Sequence, residues 1–160
     1  MTSPSSGSLK KDGRTASILL AGLGTFAALS ILGLLSSVTS DAWMLGSFGA
    51  SCVLLFGFPD AQFSKPKNVI GGHLLASAVG LIFLHTLGPS WWAMAAAAAS
   101  AAMLMMATDT VHPPAGSNPI IVFLGLSDWS FLVLPTLAGA CLLVLFSWVY
   151  WRVKMHRVKK

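Results

Sequence analysis

Long apolar runs, broken by short polar turns, constrain this chain before any other feature. The first extends from about Thr15 to Val38. At 1.5 Å per residue a helix over it measures ~36 Å, enough to cross a bilayer with some tilt. Further runs cover 42–58, 69–87, an alanine-dominated stretch from Trp91 to Met106, 120–126 and 131–151. Composition agrees: 55% of residues are hydrophobic, 9% are charged and the mean hydropathy is +0.76. Soluble domains carry about 25% charged residues. The expected fold is an all-α polytopic membrane protein of about six helical segments, four long and two short or broken. The short ones are 42–58, rich in helix-weakening Gly and Ser, and 120–126. The first run exceeds the apolar region of a signal peptide and no clear cleavage site follows, so it is expected to stay in the membrane.

Charge placement predicts orientation. The chain has ten Lys and Arg, five acidic residues that are all Asp, and a net charge of +5. Three of the positives precede the first run and five follow the last. Such end-loading reads as topology, not as a nucleic-acid surface. Both termini are expected on the cytoplasmic side, as in a bacterial inner membrane, so the number of crossings is even. Six crossings put Lys65 and Lys67 inside as well. Four, with the second and fifth segments re-entrant, leave those lysines outside. Charge favours six, the shortness of two segments favours four, and the reading leans to six. Residues 1–14 are expected as a disordered basic tail, 15–151 as the membrane domain and 152–160 as a second basic tail. Cys52 and Cys141 fall in apolar runs and are expected to be packing residues, with no metal and no disulfide.

One stretch stands apart: Asp109-Thr110-Val111-His112-Pro113-Pro114-Ala115-Gly116-Ser117-Asn118-Pro119. Its three prolines remove backbone donors and fix φ, and Pro113 pushes His112 out of the helical region. Broken backbone with polar side chains survives at membrane depth only where protein or water covers it, which makes this the first candidate site. The alternative is a loop outside the bilayer. Asp41 and Asp109 each begin a short segment that follows one long helix and precedes another, which admits a three-plus-three inverted repeat with the broken segments meeting near the midplane.

His112-Pro113-Pro114-Ala115-Gly116 resembles the signature of the HPP family of integral membrane proteins. The resemblance extends to Gly49-Ala50-Ser51 with Val53-Leu54-Leu55-Phe56-Gly57, and to Lys65-Pro66-Lys67-Asn68-Val69-Ile70-Gly71-Gly72-His73. It implies a membrane domain usually described with four spans, against the six favoured by charge. Relatives in cyanobacteria and chloroplasts are associated with nitrite transport, and some carry a regulatory domain that these residues do not match. Lys65 departs from the glutamine common at that place.

A transporter or channel for a small anion, nitrite first, is the leading expectation. Such an anion must exchange water for hydrogen-bond donors and positive potential. Ser117 and Asn118 offer donors after the prolines, Gly116 lets backbone approach, and Gly72 with His73 does the same from the other half. His112 and His73 gain positive charge on protonation. Lys65 and Asn68 form a basic vestibule. Pro113, Pro114 and Pro119 break the helix, and Asp109 is structural or coupling. Each has a plainer counterpart: a histidine bonded to a carbonyl, a cap at Asp109, and interfacial anchors at Lys65 and Lys67. An accessory or structural subunit is the second class. An enzyme is the third, disfavoured because no H-E-x-x-H, G-x-S-x-G, cysteine cluster or paired carboxylates occur. No cofactor is expected, and with so few helices to seal a path a homo-oligomer in the lipid bilayer is.

Overall fold

The computed structural model describes residues 6–39 and 43–158, with side chains for 14–39 and 43–154. The expectation placed on Asp41, and those on the basic side chains before Arg14 and after Lys154, lie outside the described residues. All regular structure among the described residues is helical: α1 (Ser6–Thr39), α2 (Gly46–Cys52), α3 (Pro66–Leu87), α4 (Trp91–Ala107), α5 (Asn118–Leu124) and α6 (Ala138–Val158). A π turn, Val53–Gly57, extends α2; a 3-10 turn, Pro113–Ser117, precedes α5; two irregular turns, Trp129–Leu132 and Val133–Leu137, precede α6. α1 begins at Ser6, nine residues ahead of the expected Thr15. The helix therefore runs through the Lys and Arg that were expected to lie in a tail, residues whose unbranched side chains suit a helix.

Among the described residues, three helical stretches are long and apolar enough to cross a membrane alone: Arg14–Thr39, Pro66–Leu87 and Trp129–Lys154. α4 is the fourth long helix. Side-chain contacts trace the direction of each pass. Gly33 meets Met44 and Gly24 meets Phe56, so α2 and its extension run back along α1. Phe56 packs edge-on to Tyr150, and Phe48 lies against Gly139, which sets α6 beside both. α3 and α4 form a hairpin through Gly88, whose φ of 75° suits glycine. The end of α4 returns to the start of α3, where a side chain at Gly72 would meet Thr110. From there the chain climbs along α3 again: Pro119 lies on Gly80, and Trp129 stacks on His85 at 5.4 Å. α6 then descends, with Thr136 beside Ser77 and Trp151 donating to the Leu55 carbonyl at 2.9 Å. Six passes alternate in direction. The start of α1, the Lys65 loop and the end of α6 share one end of the bundle; the Gly88 turn and Asp128 share the other. At that second end the Asp128 carboxylate accepts from the Ser130 hydroxyl and N–H, which hold it below the usual carboxylate range.

Two apolar clusters make the core. One joins α3, α4 and α5 around Ala76, Leu81 and Val122; the other joins α1, α2 and α6 around Leu32, Phe48 and Leu143. Ala93, Ala97, Ala101 and Met105 are buried at every fourth position of α4, a small-residue stripe that lets α3 approach closely. Long, short and long elements do occur twice. Their packing is unequal, however: α3 lies along most of α4, whereas the equivalent pair, α6 and α1, touches sparsely.

This arrangement predicts accessibility. With Cys52 and Cys141 replaced by alanine, cysteines at Gln62 and Arg152 should react with an impermeant reagent from the same side of the membrane. A cysteine at Pro89 should react only from the opposite side. Labelling of Gln62→Cys and Pro89→Cys from one side would contradict six passes.

Candidate functional site

Between the two apolar clusters runs a file of buried polar side chains. Its centre is Ser51, in the middle of the shortened second pass. The Ser51 Oγ lies 2.9 Å from the His73 Nε2 and 2.8 Å from the His112 Nε2. It also reaches the Ser47 carbonyl, one turn back, at 3.0 Å. Both imidazoles and the serine are fully buried. The two rings sit 5.0 Å apart at 61°, and Phe48 closes the other side of His73 edge-on at 5.1 Å.

Local sequence explains the convergence. His73 follows Gly71-Gly72 on α3. A Cβ on Gly72 would come within 2.8 Å of the His112 Cβ and 2.9 Å of the Thr110 carbonyl. Glycine there lets the segment from Thr110 to His112 lie directly on the helix. His112 itself is extended (φ −134°, ψ 98°), as a residue before proline must be. Pro113 and Pro114 then occupy the first turn of the 3-10 segment, where missing N–H groups cost nothing. His112 Nδ1 lies 2.7 Å from the Phe63 carbonyl. A carbonyl only accepts, so Nδ1 carries a hydrogen.

The file continues from His73. Asn118 Nδ2 meets the His73 Nδ1 at 3.1 Å, the His73 carbonyl at 3.3 Å and the Ser77 Oγ at 2.8 Å. That carbonyl fixes which end of the amide faces His73. Ser77 meets the Thr136 hydroxyl at 3.1 Å. Thr136 follows the backbone break at Leu134 (φ −130°, ψ 123°) in the irregular start of the sixth pass. Asn118 Oδ1 and Ser47 Oγ are buried without a hydrogen-bond partner.

Of the residues singled out in the sequence, His112, His73 and Asn118 meet in this file. Gly72 supports it from below, and Pro119 packs on Gly80 so that α5 can lie on α3. Five others fall elsewhere. Asn68 is buried but donates to the Val111 carbonyl at 2.9 Å, pinning the segment from Thr110 to His112. Ser117 closes its own turn onto the Pro114 carbonyl at 2.8 Å. Gly116 brings no backbone into close approach, since a Cβ there would meet nothing within 4 Å. Lys65 is exposed at the bundle end. Asp109 is exposed in a left-handed turn (φ 53°) that ends α4, away from the histidines. Cys52 is buried and free; Cys141 is free and exposed on the apolar face, a correction to its expected packing role. Sequence reasoning missed Ser51, Ser47, Ser77, Thr136 and the Phe63 carbonyl. The signal available was the Ser47 and Ser51 pair, four residues apart on one face of the short segment.

Comparison with known proteins decides the lineage. The family model for the HPP transmembrane region matches residues 10–159. The chain belongs to the HPP family. Two transmembrane proteins of Dictyostelium discoideum resemble it, at 33% identity over 139 residues and 30% over 135. The matches cover 79% and 77% of this chain but 49% and 43% of theirs, so this HPP protein spans about half the length of those relatives or less. No solved structure matches it.

Removing the central hydroxyl of this HPP domain should be felt in stability. Ser51→Ala leaves both Nε2 atoms without their partner, at about 1–3 kcal/mol. Gly72→Ala forces the His112 segment off α3, at roughly 1–3 kcal/mol. Thermal unfolding in detergent should show both, while Ser117→Ala, whose hydroxyl only closes an exposed-side turn, should stay near the parent.

Proposed function

We propose that this protein carries a small monovalent anion across the membrane, with nitrite as the first candidate. The observation that carries the reading is the meeting of two broken passes at a fully buried histidine, serine and asparagine file. Polar groups inside a membrane domain are expensive and typically mark a substrate path, and discontinuous helices characteristically build such sites. The file offers imidazole, hydroxyl and carboxamide donors for an anion that must exchange its water. The nitrite association of relatives in cyanobacteria and chloroplasts supports the choice of anion.

In this reading the protein catalyses no chemical conversion and uses no cofactor. Lys65, Lys67 and both termini face the cytoplasm of a bacterial inner membrane, following the distribution of positive charge. It works as a homo-oligomer, because α1 is buried along one narrow stripe only and leaves Leu19, Leu23, Phe26 and Leu34 exposed. Mass measurement in mild detergent should give a multiple of the chain mass; a monomer at working concentration would remove this part.

Purified protein in proteoliposomes should accelerate nitrite entry over empty vesicles, with smaller effects for larger anions. His112→Ala that still folds should lower the flux at least tenfold, while Lys65→Gln should alter it far less. An inert protein across a panel of small anions would favour the accessory-subunit reading instead.

A further inference from the structure

We propose that Ser51, His73 and His112 form a single-proton site, and that the anion binds and crosses together with the proton held there. The coupling rests on the anion reading above; the proton site rests on the geometry of hydrogen bonds alone.

Hydrogens can be assigned atom by atom. His112 Nδ1 faces the Phe63 carbonyl and always bears hydrogen. A neutral His112 therefore presents a bare Nε2 to Ser51, and the hydroxyl must donate to it. The Ser51 oxygen then accepts, so His73 must donate from Nε2. That leaves the His73 Nδ1 bare, facing the Asn118 amide, which donates. All four ring nitrogens and the Ser51 hydroxyl are matched, and the bonds point one way, from Asn118 to Phe63.

One more proton also fits without loss. Water outside the bundle gives up H⁺, an N–H bond forms at the His112 Nε2, and no protein bond breaks. His112 now donates to Ser51. The Ser51 hydrogen swings to the Ser47 carbonyl, already in place at 3.0 Å. Ser51 then accepts from both rings. A second proton has no such place: it would set the His73 Nδ1 hydrogen against the Asn118 amide hydrogens and put two cations 5.0 Å apart in a dry core.

The charged state lacks a counter-charge of its own. Around the pair, α2 presents Phe48, α5 presents Asn118 and the loop presents Phe63, while α4 brings Met105 beside Gly72; α6 reaches the file farther along, at Thr136 on Ser77, and α1 contributes apolar Ala28 and Leu32 to the neighbouring cluster. Beside Ser51 on α2, the thiol of Cys52 lies in that apolar cluster. Among the described side chains, Arg14, Asp60, Lys65, Lys67, Asp109, Asp128, Arg152 and Lys154 all lie toward the ends of the passes. An isolated buried cation is costly, and an entering anion supplies the missing charge. Proton and anion therefore strengthen each other's binding, reciprocally. Release of both on the far side returns the neutral site.

The test is nitrite binding to the purified protein across pH, alongside nitrogen-15 NMR of labelled histidines. Above the site's midpoint, apparent nitrite affinity should strengthen about tenfold for each unit the pH falls, one proton per anion. Nitrite should also bring one buried imidazole per chain into the doubly protonated form. Ser51→Ala should abolish that slope and Ser51→Thr, which keeps the hydroxyl, should retain it; the parent protein decides even if neither variant folds. In proteoliposomes the flux should be electroneutral and acidify the lumen. Nitrite binding that is flat with pH, or rings neutral in its presence, would overturn the proton site. Absence of nitrite binding and flux, with one imidazole still titrating, would overturn the proposed function and the coupling, and leave the proton site standing.

Discussion

A polar group that enters a membrane domain has no water to fall back on, and everything in this bundle follows from how that demand is met. The second and fifth passes are too short to satisfy their own backbone over a full crossing. The structure answers by tying them to each other. Ser51 of the second pass holds His112 of the fifth, and His73 of α3 completes the triangle. Around it, Asn68 takes the Val111 carbonyl, His112 takes the Phe63 carbonyl, and Ser64 takes the carbonyls of Leu54 and Phe58 at 3.1 and 2.7 Å. Each broken end is closed by a side chain from another element.

Such closure needs backbones that can come within touching distance. Gly72 admits the His112 segment, Gly80 admits Pro119, and Gly24 admits the ring of Phe56, which a Cβ would meet at 2.6 Å. The alanine stripe of α4 does the same over a whole helix. In lipid, helices gain little from burying apolar surface, so close packing and interhelical hydrogen bonds carry association. Small residues and the polar file are thus two parts of one solution. The file lies between two apolar clusters, which keep it dry and make each of its bonds electrostatically strong.

Dryness also links architecture to chemistry. Among the described side chains no carboxylate faces the file, which is built of neutral donors and acceptors. The Ser51 hydroxyl lies within hydrogen-bond reach of both the His112 ring and the Ser47 carbonyl.

Membrane residence, the four long helices and the two weak ones were legible in the sequence, because run length and the lack of charge leave a chain few choices in lipid. That the HPP stretch is covered was legible for the same reason: prolines and a histidine between apolar runs need cover, and His112 is fully buried. End-loaded positive charge favoured six crossings of the membrane; the contacts trace six passes along the bundle. Partners were another matter. That Ser51 stands between His73 and His112, 22 and 61 residues away, depends on which face each broken helix turns inward. Ser117, Gly116, Asn68 and Lys65 do not join the file, since a turn, open space, a carbonyl and solvent claim them. Residue type sets what a side chain is able to do. Only the tertiary structure decided which ones face the same few ångströms of dry interior, because that follows from helix packing across long stretches of chain and not from local pattern.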